Sequence, residues 1–102
     1  MVGKYYILKG HDVVPCLDAT QWARWFESAD RVVAKDTIGD SVVSTVFVGV
    51  AHRFGDKLPL VFETLVFGGS LSNEMDRYST WDEAVSGHNT MIKRVQMNEK
   101  LV

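Results

Sequence analysis

The chain has 102 residues, which is enough for one domain and too few for two. Its 46% hydrophobic and 24% charged residues exclude a disordered composition. A net charge of −2 argues against broad electrostatic binding to nucleic acid, because such binding needs a concentrated basic face. Nucleic acid is therefore not an expected partner.

The cysteine content and the N-terminal residues bear on the compartment. Cys16 is the only cysteine, so no intrachain disulfide can form, which fits a reducing cytoplasm. Residues 1–10 contain no apolar core of the signal-peptide kind, and no window is apolar for long enough to span a bilayer. We expect a single cytoplasmic domain over residues 1–102, without a membrane partner.

The first predicted element is a strand over residues 4–9. The run KYYILK is rich in aromatic and β-branched residues and stops at Gly10, which favours extended structure. The following segment contains Pro15, which cannot donate a backbone hydrogen bond. We therefore predict a connector there.

A helix is predicted over residues 18–29. Asp18 is a good N-cap, and Gln21 follows it at capping-box spacing. Leu17 and Trp22 then occupy the two positions of a hydrophobic staple. The apolar stripe of this helix consists of Trp22, Trp25, Phe26 and Ala29.

From Arg31 the apolar residues alternate with a period of two, which predicts a β-hairpin. Gly39-Asp40 separates its strands, and glycine at the first central position suits a type II′ turn. The predicted register pairs Ala34 with Thr45 and Val32 with Phe47.

A further strand is predicted over 60–67, stopped by Gly68-Gly69. A polar loop over 68–77 then leads to a helix over about 81–97. The predicted order is β-α-β-β-β-α. This is an α+β domain with a mainly antiparallel sheet of about four strands, packed with two helices.

The central strands are apolar on both of their faces. In residues 42–51 one alternating set is Val42, Ser44, Val46, Val48 and Val50, and the other is Val43, Thr45, Phe47, Gly49 and Ala51. Strands with one solvated face normally alternate apolar with polar residues. We therefore predict a homodimer through an apolar sheet face. The alternatives are an unidentified protein partner, or a monomer with one helix on each face.

The start of the last helix raises the question of acid–base chemistry. Thr80 and Glu83 have capping-box spacing, and Asp82 also lies in the first turn, where acidic groups favour a helix start. His88 continues the apolar stripe, so a hydrogen-bonded core histidine is one interpretation and a titrating group at a pocket edge is the other. Gly87 indicates close approach of a neighbouring segment.

Two candidate catalytic sets follow from residue type. His88 could act with Glu63 or Asp82, and Cys16, close to a helix N-terminus, could act with His11. The alternative for Cys16 is a buried thiol without chemistry. The histidines have no metal-ligand spacing, and Gly68-Gly69 lacks the lysine of a phosphate loop. No cofactor or metal is therefore predicted, and an enzyme is the less favoured class.

Interleaved aromatic and basic residues form candidate interaction surfaces, because such residues stack on or grip partners. On the first helix these residues are Trp22, Arg24 and Trp25. In the loop HRFGDKLP they are Arg53, Phe54 and Lys57. For the first helix, the apolar stripe instead predicts both tryptophans as core residues, with Arg24 on the solvent side.

Three segments carry a resemblance to known proteins. They are STVFVGVAHRFG, LVFETLVFGG and RYSTWDEAVSGHNTMI. These segments resemble those of small uncharacterised proteins of tailed bacteriophages, prophages and mobile gene cassettes, over most of the chain. The resemblance implies a bacterial or phage-borne accessory protein in the cytoplasm, and it transfers no catalytic residue.

The functional hypothesis is a small interaction or binding module that acts as a homodimer on a ligand not yet identified. It depends on the doubly apolar sheet and on the lack of a catalytic signature. The alternatives are a small enzyme using the His/carboxylate or Cys/His sets above, and a nucleic-acid or nucleoprotein-associated protein.

Overall fold

A computed structural model describes residues 4–51 and 58–100. Its elements are β1 (Tyr5–Lys9), β2 (Asp12–Cys16), α1 (Ala19–Ser28), β3 (Val32–Ile38), β4 (Ser41–Phe47), β5 (Phe62–Phe67), β6 (Met75–Tyr78) and α2 (Trp81–Lys100). The strands form a two-stranded sheet, β1-β2, and a four-stranded antiparallel sheet in the order β3-β4-β5-β6. The predicted α+β class with a four-stranded antiparallel sheet and two helices is confirmed.

Two strands lie where the sequence predicted irregular structure. β2 contains Pro15 and pairs antiparallel with β1 across the turn at Gly10. The proline is tolerated because β1 is the only partner of β2 among the described strands, so one side of β2 needs no backbone donor. β6 lies mostly within the predicted polar loop. Three of its four residues are exposed, so its sequence lacks the alternation of apolar and polar residues by which strands are recognised.

The N-cap of α1 is confirmed, whereas the hydrophobic staple is wrong. Asp18 Oδ1 accepts hydrogen bonds from the backbone N–H of Thr20 at 2.9 Å and of Gln21 at 3.3 Å. Leu17 is 87% exposed, because Trp22 is directed to β1 instead, where its indole N–H donates to the Tyr6 carbonyl at 2.9 Å.

The β3–β4 hairpin follows the predicted turn and part of the predicted register. Gly39 has φ +57° while Asp40 has no positive φ, as a type II′ turn requires. Ala34 lies opposite Thr45 as predicted. Val32, however, pairs with Val46 instead of Phe47, because a β-bulge between Val32 and Ala34 shifts the register by one residue.

Helix α2 covers one face of the four-stranded sheet. Its start is the predicted capping box, since the Glu83 amide donates to Thr80 Oγ1 at 3.1 Å and the Thr80 amide donates to Glu83 Oε1 at 3.1 Å. The buried residues at this interface are Ser41, Val43, Thr45, Phe47, Phe62, Thr64, Val66, Ala84, His88, Met91 and Val95. This layer is the main hydrophobic core.

Helix α1 packs against β1 and β2 at one end of the sheet. None of its residues is buried, and Trp22 and Trp25, predicted as core residues, are only half-buried. The face of the four-stranded sheet opposite α2 therefore has no helix of the described chain packed across it. Within residues 4–51 and 58–100, neither helix has the length and apolar content needed to cross a bilayer.

Candidate functional site

The sheet face opposite α2, here called the open face, is an apolar surface with little cover from the described residues. Val32, Phe67 and Met75 are 50%, 51% and 47% exposed. Cross-strand neighbours fall in three rows, which are Thr37–Val42–Phe67, Lys35–Ser44–Leu65–Met75 and Val32–Val46–Glu63–Arg77. The two apolar faces predicted for the central strands are thus real, and one of them is left without a helix.

The open face continues past the end of the sheet onto α1. A shallow groove of 330 Å³ lies there. The apolar residues that line it are Trp22, Phe26, Val48, Val50 and Leu60. Each of them is half-buried, so apolar side chains extend the open face to the first helix, with Glu63 and Arg77 also lining the groove.

One ion pair lies within the open face. Arg77 Nε is 3.3 Å from Glu63 Oε2, and the two side chains are 34% and 21% exposed. The pair joins β5 to β6 directly across the strands. The acid and the base therefore neutralise one another in the row that also contains Val46.

A buried polar network connects α2 to three strands. His88 Nε2 is 2.7 Å from Asp36 Oδ2, and His88 Nδ1 is 2.7 Å from Thr45 Oγ1. Thr45 Oγ1 is in turn 2.5 Å from Thr64 Oγ1. Both ring nitrogens thus have partners, so a histidine with 1% exposure can be accommodated in the core without an unmet hydrogen-bonding group.

The order carboxylate, imidazole and hydroxyl also occurs in nucleophilic hydrolases. Here, however, Thr45 has 0% exposure and His88 has 1%, and neither lines a described cleft. A substrate carbonyl cannot reach the Thr45 hydroxyl in this arrangement. The network satisfies a core histidine and fixes α2 against β3, β4 and β5.

Tyr78 borders the same network. Its hydroxyl is buried and makes no hydrogen bond of good geometry. Burial raises the pKa of Tyr78 above its usual value, the nearby Thr64 hydroxyl opposes this shift, and the Asp76 carboxylate adds to it. The ring of Tyr78 lies directly over Gly87, where any Cβ would overlap with it.

The structure does not bring together the residue pairs predicted from chemistry. Glu63 lies on the open face, whereas His88 contacts the opposite face through Thr45. Asp82 is exposed at the start of α2, away from the His88 network. The carboxylate that does meet His88 is Asp36, a residue that the sequence analysis missed.

Cys16 and His11 are also separated. Cys16 is the last residue of β2 and is buried, with its thiol 3.5 Å from the Asp18 carbonyl. His11 lies in the turn before β2, a separation of about 15 Å along an extended strand. Among residues 4–51 and 58–100, no group of three His, Cys, Asp or Glu side chains is arranged to hold a metal ion.

A cleft of 570 Å³ lies between the β1–β2 hairpin and the start of α2. The polar and aromatic residues that line it are Tyr6, His11, Asp12, Ser79, Thr80, Trp81 and Asp82. The His11 imidazole stacks on the Trp81 indole with ring centres 3.7 Å apart and planes inclined by 6°. Burial raises the pKa of Tyr6. The Tyr6 hydroxyl has no hydrogen-bond partner among the residues that the structure describes.

The predicted interaction residues are only partly described. On α1, Trp22 and Trp25 are half-buried and Arg24 is exposed. The Trp22 ring borders the open face, whereas Trp25 packs edge-on against the buried Phe47. The candidates Arg53, Phe54 and Lys57 lie outside the described residues.

No family model matches the chain, and no curated protein or solved structure is similar to it. Its function therefore has to be inferred from its own surfaces and side chains. Of these, the open face is the largest feature that the fold itself leaves unexplained.

Proposed function

We propose that the chain is a small accessory interaction module that forms a homodimer by packing its open face against the open face of a second copy. The observation that supports this is the apolar surface opposite α2, with Val32, Phe67 and Met75 about half exposed. Apolar patches of several hundred Å² seldom remain in water on a monomer. A twofold pair buries the same patch on both chains.

The dimensions of the open face suit such a pair. Four strands about 4.8 Å apart and the seven residues of β4 give a face of up to about 19 Å by 24 Å. Its projected area is up to about 450 Å², to which the groove beside α1 adds further surface. A stable interface of standard size buries about 800 Å² of accessible surface on each partner, and a corrugated face has more accessible surface than its projection.

The charges of the open face favour a second copy over a charged partner. Arg77 and Glu63 neutralise one another at 3.3 Å. Lys35 is an exposed cation in another row of the face, next to Ser44. Two such faces can meet with little net repulsion, whereas an acidic or basic partner would find no strong field of opposite sign.

We further propose that the protein is carried by a tailed phage, a prophage or a mobile gene cassette and acts in the bacterial cytoplasm. The resemblance of residues 44–55, 60–69 and 77–92 to proteins of such elements supports this origin, and the lone Cys16 fits the compartment.

Size-exclusion chromatography with light scattering tests the dimer. The expected mass is twice the chain mass of 11.5 kDa at micromolar concentration. Val46→Lys and Leu65→Lys each place a charge within the apolar interface, so we expect both variants to elute as monomers. Val85→Lys is the control, because Val85 is an exposed valine on α2 rather than on the open face.

The dependence of the thermal unfolding midpoint, Tm, on protein concentration is an independent test of the dimer. Because only the folded dimer carries the interface, the Tm of the natural chain rises with protein concentration, whereas that of the two lysine variants does not. A chain that is monomeric at micromolar concentration, or lysine variants that remain dimeric, would contradict the proposed interface.

A further inference from the structure

We infer that the cleft between the β1–β2 hairpin and the start of α2 binds a small organic cation, an ammonium group attached to a flat apolar body. This site goes beyond the proposed dimer, since none of its lining residues belongs to the rows of the open face. Its volume of 570 Å³ is within the range of small-molecule sites.

The charge of the cleft selects the sign of the ligand. Asp12 and Asp82 enter it from the hairpin and from α2, and no lysine or arginine is among its described lining residues. Lys9 lies opposite Asp12 in the hairpin but forms no ion pair with it within the described contacts. Among the residues that the structure describes, the two carboxylates therefore have no cationic partner, and they can accept a cation from a ligand.

The aromatic residues of the cleft favour a ligand with a flat body. The His11 imidazole stacks on the Trp81 indole with ring centres 3.7 Å apart, so the cleft wall presents two parallel flat rings. Aromatic faces also attract organic cations when water is displaced. The remaining lining residues include Pro15, Leu58 and Pro59, which offer apolar contact to the body of the ligand.

An unmet hydrogen-bonding group in the cleft independently indicates a ligand. Tyr6 is 3% exposed, and its hydroxyl has no hydrogen-bond partner within residues 4–51 and 58–100. Tyr6 is one of the residues that line the cleft, and its backbone N–H and C=O are already hydrogen-bonded to Gly49 and Trp22. Orphaned buried polar groups are rare in folded proteins, and an ammonium N–H would supply the missing donor to Tyr6 Oη.

The probe for this site is protonated 2-phenylethylamine, compared with neutral 2-phenylethanol and with phenylacetate. Titration followed by the indole N–H resonance of Trp81, assigned with Trp81→Phe, measures the affinity. We expect saturable binding with a Kd on the order of 1–10 mM, as suits so few atoms. The alcohol should bind at least about threefold more weakly, and phenylacetate should not bind.

Variants separate the contributions of the charges and of the hydroxyl. Asp12→Asn and Asp82→Asn should each weaken binding of the amine by about two- to fivefold and leave the alcohol unchanged. Tyr6→Phe should weaken the binding of the amine and of the alcohol, because these two probes can donate a hydrogen bond to Tyr6 Oη. Glu27→Gln, which removes a carboxylate from the exposed side of α1, is the control and should have no effect. Circular dichroism confirms that each variant is folded.

Equal binding of the amine and the alcohol would overturn the inference, as would stronger binding of phenylacetate or unchanged affinity in both aspartate variants. Absence of saturation by the amine at several times 10 mM would also overturn it. Val46→Lys should bind the amine like the natural chain, so failure of the cleft and failure of the dimer are separate results.

Discussion

The imidazole of His88 and the carboxylate of Asp36 lie 2.7 Å apart although 52 positions separate them in the chain. His88 comes from the middle of α2, and Asp36 comes from β3 at one edge of the sheet. Their contact, continued through Thr45 to Thr64, places a polar chain inside an otherwise apolar interface. Removing one member of such a network destabilises the fold, because its partners are left buried without hydrogen bonds.

We therefore expect Thr45→Val to destabilise the fold by about 2–4 kcal/mol, because it leaves both His88 Nδ1 and the Thr64 hydroxyl without partners. The combined replacement Thr45→Val, Thr64→Val and His88→Leu removes these orphaned groups and should recover part of the loss. Urea unfolding at fixed protein concentration measures both values.

Thr20→Val is the matched control for Thr45→Val. It makes the same chemical change at an exposed position in the first turn of α1, outside the network and outside the rows of the open face, and we expect a change below about 0.5 kcal/mol. If Thr45→Val costs no more than Thr20→Val, the network contributes little to stability.

Gly87→Ala should destabilise the protein although alanine is the better helix former. In an isolated helix the substitution gains about 1 kcal/mol. Here the new Cβ overlaps with the ring of Tyr78, and forced repacking of this kind costs about 1–3 kcal/mol. We expect a net loss of up to about 2 kcal/mol by thermal or urea unfolding.

The effect of Gly87→Ala on stability should change sign when the ring of Tyr78 is removed. In a Tyr78→Ala background, Gly87→Ala meets no obstacle and should stabilise by up to about 1 kcal/mol. A Gly87→Ala effect that is the same in both backgrounds would show that its cost does not come from Tyr78.

The first helix should depend on its N-cap and not on the residue before it. Asp18→Ala removes the acceptor for the amides of Thr20 and Gln21, for an expected loss of about 1 kcal/mol. Leu17→Ser changes a side chain that is 87% exposed and should cost less than about 0.5 kcal/mol. Comparable losses in the two variants would indicate a staple contact after all.

Alkaline pH should weaken the fold through its buried phenols. Burial raises the pKa of Tyr78 and of Tyr6, while an unfolded chain has tyrosine pKa values of about 10. Above pH 10 the unfolded state therefore releases protons that the folded state retains. The free energy of unfolding then falls as pH rises from 10 through the folded pKa values, and below pH 9 this contribution is constant.

Urea titrations between pH 8 and 11 test this dependence. Tyr78→Phe should flatten the alkaline fall, and adding Tyr6→Phe should flatten it further. At pH 7 Tyr78→Phe should change stability little, because the hydroxyl lacks a good hydrogen bond. An unchanged alkaline slope in the double variant would contradict the assignment to these two phenols.

The parts of the fold that the sequence predicts well are those governed by local chemistry. The Gly39-Asp40 turn determines the hairpin, and the side chains of Asp18 and Thr80 determine the two helix starts. These signals act over a few residues and are only weakly altered by tertiary packing. The α+β class and the β3–β4 hairpin follow from them, whereas the fourth strand of the sheet, β6, does not.

The features that the sequence analysis missed depend on context. The bulge that pairs Val32 with Val46 has no clear signature in RVVAKDTI. The polar strand at Met75–Tyr78 forms because β5 offers it a free edge, not because its residues favour a strand. Pro15 argued against β2, but a strand with one partner does not need every backbone N–H.

The His88 partner was within reach of sequence reasoning and was still missed. The predicted pairing of Ala34 with Thr45 already places Asp36 on the same face as Thr45, because side chains alternate along a strand. No local pattern indicates that α2 crosses this face of the sheet with His88 next to both Asp36 and Thr45. Long-range alignment of a helix on a sheet is set by the packing of the whole layer.

The two outer strands of the large sheet bear on how this molecule behaves when concentrated. β3 carries Lys35, Asp36 and a bulge, and β6 carries Asp76 and Arg77. Charged and irregular borders hinder the lateral addition of further strands, which is the route to ribbons and fibrils. Growth by strand addition is thus disfavoured at both edges, so association through the open-face interface that we propose would end at a closed pair instead of continuing into a fibril.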